Sequence, residues 1–177
     1  MILEKLSEWP DLKKTRFLLI FSIILFIIVY PIMAYFLVLS EYPVSFTESQ
    51  LSFSGEILKA HYMVTNINEY RIMQILDYGF MVSYGLLAFS LALIIARKYD
   101  EGSFWRKSGY IIAILGIIAA CCDAIENGFI LAMLTDPAAF PNSWAINHSC
   151  FALIKYILLF TCIGWAFLAS IIRVLKK

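Results

Sequence analysis

The chain has 177 residues, 62% of them hydrophobic and 15% charged, with a formal net charge of +1. That composition excludes a disordered segment and an ordinary soluble domain, and without a basic stripe there is no footprint for nucleic acid. Four apolar runs, at about residues 17–39, 68–96, 110–134 and 145–173, are each long enough to cross a bilayer. The expected fold is all-α, an integral membrane four-helix bundle making one domain of residues 1–177.

Orientation follows the Lys and Arg of short links rather than net charge. Lys5, Lys13, Lys14 and Arg16 precede the first run, Arg97, Lys98, Arg106 and Lys107 fill the second link, and Arg173, Lys176 and Lys177 follow the last run. The first link holds only Lys59 and Arg71, and the third holds neither residue type. Both termini are therefore expected on the cytoplasmic side of the cell membrane. No small-residue cleavage site follows the first run, so it reads as a retained span and not as a signal peptide.

Before the first span, Ile2, Leu6 and Trp9 recur at helical spacing. They suit a short amphipathic helix with Trp9 as an interfacial anchor, or else a solvated lead-in. Span one carries no charge; Pro31 is expected to kink it, and Tyr30 and Tyr35 are its large polar side chains in the outer half. These tyrosines suit either a cavity wall or an interfacial belt. In the first outer link, Leu51, Ile57, Leu58, Tyr62 and Met63 alternate with polar residues in a pattern that predicts a short amphipathic helix over the bundle mouth. His61 reads as a surface residue.

Asn66 with Glu69 forms a capping-box pattern that opens span two near Ile67. Asp77 follows ten residues later, roughly 15 Å along the axis, and Tyr84 lies on the same face at i+7. Span three begins near Gly109 and reaches Asp123 after about 14 residues, roughly 21 Å. Asp123, Glu126 and Asn127 stand at i, i+3 and i+4 and share one face. The third link is rich in Pro and Asn, and Asn147-His148-Ser149 at its end forms a sequon that abuts the last span. Span four carries Lys155 too deep to snorkel, which calls for a carboxylate partner. Cys121, Cys122, Cys150 and Cys162 lie in spans without a C-x-x-C pair and read as buried, small apolar side chains.

Three spans thus bring Asp77, then Asp123, Glu126 and Asn127, then Lys155 to one depth in the outer half. Ionisable groups inside a bilayer are costly and point to a functional interior. The cluster admits three readings: a pocket for a lipid-like molecule, with or without acid–base chemistry; a proton- or cation-coupled route, as a transporter or oligomeric channel; or a buried ion-pair clamp in a structural or interaction protein. Asp77, Asp123, Glu126, Asn127, Lys155 and Tyr84 are the ligand-binding or proton-transfer candidates. No His/Cys cluster, nucleophile elbow or phosphate loop is present, so neither a metal nor a cofactor is expected. The expected partner is a membrane lipid or small hydrophobic molecule, or a further copy of the chain.

The stretches LDYGFMVSYGLLAF, ACCDAIENGFILAML and ALIKYILLF resemble a set of small four-span prokaryotic membrane proteins of uncharacterised activity, with an LD-aromatic segment, a D-x-x-EN segment and a late lysine. The resemblance covers spans two to four and implies no activity. A looser, architectural likeness is to the EXPERA group, which places acids inside a small bundle around a hydrophobic ligand; no site residues are carried over from it.

Overall fold

Seven helices follow one another, and the local sequence explains where most of them start. A computed structural model describes residues 2–175; Met1, Lys176, Lys177 and the side chain of Ile2 lie outside the described residues. The helices are α1 (Ile2–Glu8), α2 (Leu12–Leu39), α3 (Phe46–Gln50), α4 (Gly55–Met63), α5 (Ile67–Ala96), α6 (Phe104–Met133) and α7 (Asn142–Leu175), with no strand among the described residues. Asp11, Ser45, Ser54 and Ser103 cap α2, α3, α4 and α6 by accepting a backbone N–H three residues on. That bond holds the Asp11 carboxyl below its ordinary value. Asn66 occupies the N-cap position of α5 but makes no side-chain cap bond, so the expected capping box does not form. Its backbone N–H instead donates to the Ser40 carbonyl at 2.8 Å, tying the end of α2 to the start of α5.

Four of these helices, α2, α5, α6 and α7, are long and apolar enough to cross a membrane, the architecture of a multi-pass membrane protein. α2 and α6 begin several residues before the expected spans and α7 exceeds its span at both ends, whereas α5 matches to within one residue; α2 continues through Pro31. In the bundle, α2 lies along α5, α5 along α6, and α6 along α7, while α2 and α7 are not packed along one another. One flank is therefore open. The α5–α6 seam is close: a Cβ on Gly85 would meet the Ala120 Cβ at 2.8 Å, and one on Gly116 would meet the Ala88 Cβ at 2.6 Å.

Two apolar clusters cap the interior. One, around Leu58, Tyr62, Tyr70, Met73, Met133 and Phe140, lies where the first and third links meet the bundle. The other, around Leu6, Leu93, Ala96, Tyr110 and Cys162, lies at the end that carries the termini. Leu6 is buried there and Trp9 is exposed, so among the described side chains of α1 it is Leu6 that docks. The Arg97 guanidinium fixes it, donating to the Leu6 carbonyl at 2.8 Å and the Thr15 hydroxyl at 3.2 Å. At the other end α4 buries Leu58 and Tyr62 but leaves Ile57 and Met63 exposed, so its buried face is narrower than the sequence pattern implied. Cys122 and Cys162 are buried, whereas Cys121 and Cys150 face outwards, contrary to expectation; in a bilayer an outward position is also apolar, so hydrophobicity alone does not separate the two.

Two outcomes follow from this packing. Because the Ala88 Cβ cannot rotate away, Gly116→Val should lower stability by about 1–3 kcal/mol in detergent thermal unfolding. Gly164→Ala, which meets nothing within 4 Å, should not. Burial pushes the Tyr42 and Tyr62 hydroxyls above their ordinary value. The fold thus holds those protons more tightly than the unfolded chain does; this stability is complete below about pH 10 and is lost as the pH rises through the folded values. Tyrosinate absorbance and thermal unfolding should change together in that alkaline window, and less so in Tyr62→Phe.

Candidate functional site

A polar layer separates the two apolar clusters, and three helices build it. On α6, Asp123 and Glu126 stand one turn apart on the face towards α7. Lys155 of α7, 4% exposed, reaches both: its Nζ lies 2.9 Å from Asp123 Oδ1 and 2.6 Å from Glu126 Oε2. The Tyr84 hydroxyl of α5 donates to Asp123 Oδ2 at 2.8 Å. Both Asp123 oxygens therefore accept from fixed donors, and this carboxylate is an anchored acceptor. Asn127 donates its Nδ2 hydrogen to the Gln74 carbonyl of α5 at 2.6 Å, stitching α5 to α6 just above the ion pairs.

Asp77 stands apart from this network. It is 8% exposed and makes no hydrogen bond or ion pair with the described residues. Its carboxyl lines a cavity of about 350 Å³ between α2 and α7, beside Asp123 and Lys155. The other walls are mostly apolar or aromatic: Tyr30, Met33, Phe46, Phe80, Leu159 and Ile163 contribute. Tyr84, Leu159 and Ile163 also line a second space, of about 160 Å³, which extends along α5 to Leu91 and Ala92. From Asp77 to Leu91 is roughly 21 Å of helix, so the two spaces form a long apolar slot with one polar end. At that end the Tyr156 hydroxyl donates to Gln50 Oε1 of α3 at 2.5 Å, closing the slot beneath the first link.

All six sequence candidates thus lie in the polar layer, in two environments. Asp77, Asp123, Tyr84 and Lys155 face the slot; Glu126 and Asn127 lie behind it. Tyr30 joins the wall, and Tyr35 faces outwards at 60% exposure. The sequence reading missed Gln74, His148, Gln50 and Tyr156. Gln74 precedes Asp77 by three residues and His148 precedes Lys155 by seven, so polar spacing along each helix was the available signal. The imidazole of His148, 1% exposed, places Nε2 at 3.6 Å from Glu126 Oε1. Among the described residues no group of three or more His, Cys, Asp or Glu is arranged to hold a metal ion. No family model, curated protein or solved structure matches the chain.

Removing one partner of a buried ion pair leaves an uncompensated charge. Lys155→Met should therefore cost about 3–5 kcal/mol in thermal unfolding. Adding Asp123→Asn and Glu126→Gln to it should recover part of that loss, because the stranded charges go with it.

Proposed function

We propose that the slot between α2 and α7 binds a lipid-like hydrophobic molecule, with its polar group at Asp77 and its apolar body along α5 towards Leu91. The supporting observation is the unpartnered, nearly buried Asp77 carboxyl at the one polar end of an otherwise apolar space. A buried polar group without a partner is costly, and a ligand that donates a hydrogen bond to it removes that cost. The open flank between α2 and α7 suits entry from the membrane rather than from water.

The arrangement also suits acid–base modification of such a molecule. Asp123 is committed to Lys155 and Tyr84, whereas Asp77 has no donor of its own and is free to exchange a proton with a bound group. On this reading Asp77 is the group that touches the ligand, Asp123 and Lys155 set the local charge, and Tyr84 orients Asp123. The Lys and Arg distribution supports placing both termini on the cytoplasmic side, with α3 and α4 over the outer end.

Native mass spectrometry of the protein purified in mild detergent, followed by lipid identification, tests the reading. Losing a hydrogen bond to a charged group is worth about 1.5–3 kcal/mol, so Asp77→Asn should lower ligand occupancy by about tenfold or more. Its melting temperature should stay near that of the parent. A parent protein that retains no defined mass, together with an Asp77→Asn variant of unchanged behaviour, would remove the pocket and leave the ion pairs as a clamp.

A further inference from the structure

Behind the slot lies a second line of polar groups that the ligand reading does not use. Glu126, His148 and Ser149 are all essentially inaccessible, and none of them lines the slot. Glu126 Oε1 and His148 Nε2 have no hydrogen-bond partner and face each other at 3.6 Å. On the other side of the ring, His148 Nδ1 lies 3.5 Å from the Ser149 hydroxyl and near the Ala145 carbonyl. Ser149 Oγ accepts the backbone N–H of Phe53 at 3.1 Å, which leaves its own hydrogen free to turn towards the ring. Phe53 holds that N–H in place with φ of 52°, a left-handed conformation costly for a bulky residue.

Phe53 also lines a polar depression of about 400 Å³ with Ser54, Gly55, Glu56, Lys59 and Asn142, at the end of the bundle remote from the termini. The line thus runs from Phe53, at the wall of that depression, through the buried Ser149, His148 and Glu126 to Lys155. An imidazole between a hydroxyl and a carboxyl can take a proton at one nitrogen and release one at the other.

We propose that His148 carries protons between this polar depression and Glu126, so that the buried acids exchange protons with water from the covered end and not through the slot. In one transfer the Ser149 O–H bond breaks as Nδ1–H forms, and Nε2–H breaks as Glu126 Oε1–H forms. Ser149 regains a proton from a hydronium ion on the depression side, which leaves as water, and the ring ends neutral as it began. Its second tautomer then has Nδ1–H towards the Ala145 carbonyl and a bare Nε2 towards the protonated Glu126. The reverse transfer resets the line: Glu126 Oε1–H breaks as Nε2–H forms, and Nδ1–H breaks as Ser149 takes that hydrogen and gives up its own to water. The charges facing this pair are Lys155 from α7, Asp123 from α6 and Asp77 from α5, while Glu56 and Lys59 of α4 stand at the depression. The route does not depend on what occupies the slot.

His61 is the only other histidine, so ¹⁵N-histidine labelling of a His61→Gln protein in nanodiscs gives one ring to observe. The His148 ring hydrogen should exchange with solvent readily. Ser149→Ala should slow that exchange on the order of a hundredfold, the scale of a positioned proton-transfer group. Glu56→Trp, a surface change that narrows the depression without touching the line, should slow it as well. Leu159→Trp, which fills the slot, should leave the rate unchanged. A ring hydrogen protected for hours in the parent would overturn the route, as would a rate unaffected by both depression-side variants or one slowed by Leu159→Trp instead. Ligand occupancy, measured on the same samples, reports separately on the slot.

Discussion

The structure depends on Lys155 being shared by two carboxylates one turn apart on α6. None of the three charges is tolerable alone in an apolar interior, and together they are tolerable only in one register of α6 against α7. Sliding α7 by a turn would carry the ammonium past both acids. Directional polar contacts therefore set the register here, where apolar packing alone would permit several. Asn127 does the same for α5 and α6 through the Gln74 carbonyl, close to where Gly85 and Gly116 let those backbones approach.

Charge arithmetic within this layer explains why one acid is left over. Lys155 and Tyr84 satisfy both oxygens of Asp123, and Lys155 also reaches Glu126. Asp77 receives nothing. It faces the flank where α2 and α7 fail to meet, so the unsatisfied group and the open space coincide. A purely structural clamp would need no third carboxyl and no cavity beside it, which gives the ligand reading its weight.

Much of this layer was legible in the sequence because charge is rare in spans. Any Asp, Glu or Lys at mid-depth stands out, and helical spacing alone places Asp123, Glu126 and Asn127 on one face. The four spans were legible for the same reason, as uninterrupted apolar length. Less visible was the set of neutral partners. Gln74, Gln50 and Tyr156 look ordinary beside a helix end or an interface, and His148 sits within a formal sequon that distracts from its position one heptad above Lys155. The lateral opening was not legible at all. It arises because α2 packs along its length against α5 and not against α6 or α7, and an all-round apolar helix such as α2 does not advertise which of its faces will be covered.

The distribution of charge among the helices has a consequence for biosynthesis. The hydrophobic stretch of α2 holds no ionisable acid or base and can enter the bilayer by itself, whereas Asp77, Asp123 and Glu126 reside on helices made before Lys155. On insertion scales each such residue at a helix centre costs about 2.5–3.5 kcal/mol until it finds a counter-charge. While α7 is still being synthesised, α5 and α6 hold three acids and no cation among their central residues. The hairpin they form must wait, protonated or shielded by the insertion machinery, for the lysine of the last helix. Assembly of this bundle is thus completed by α7, and a nascent chain stalled before residue 155 would present the cell with a membrane hairpin that has no mid-depth cation to pair with its acids.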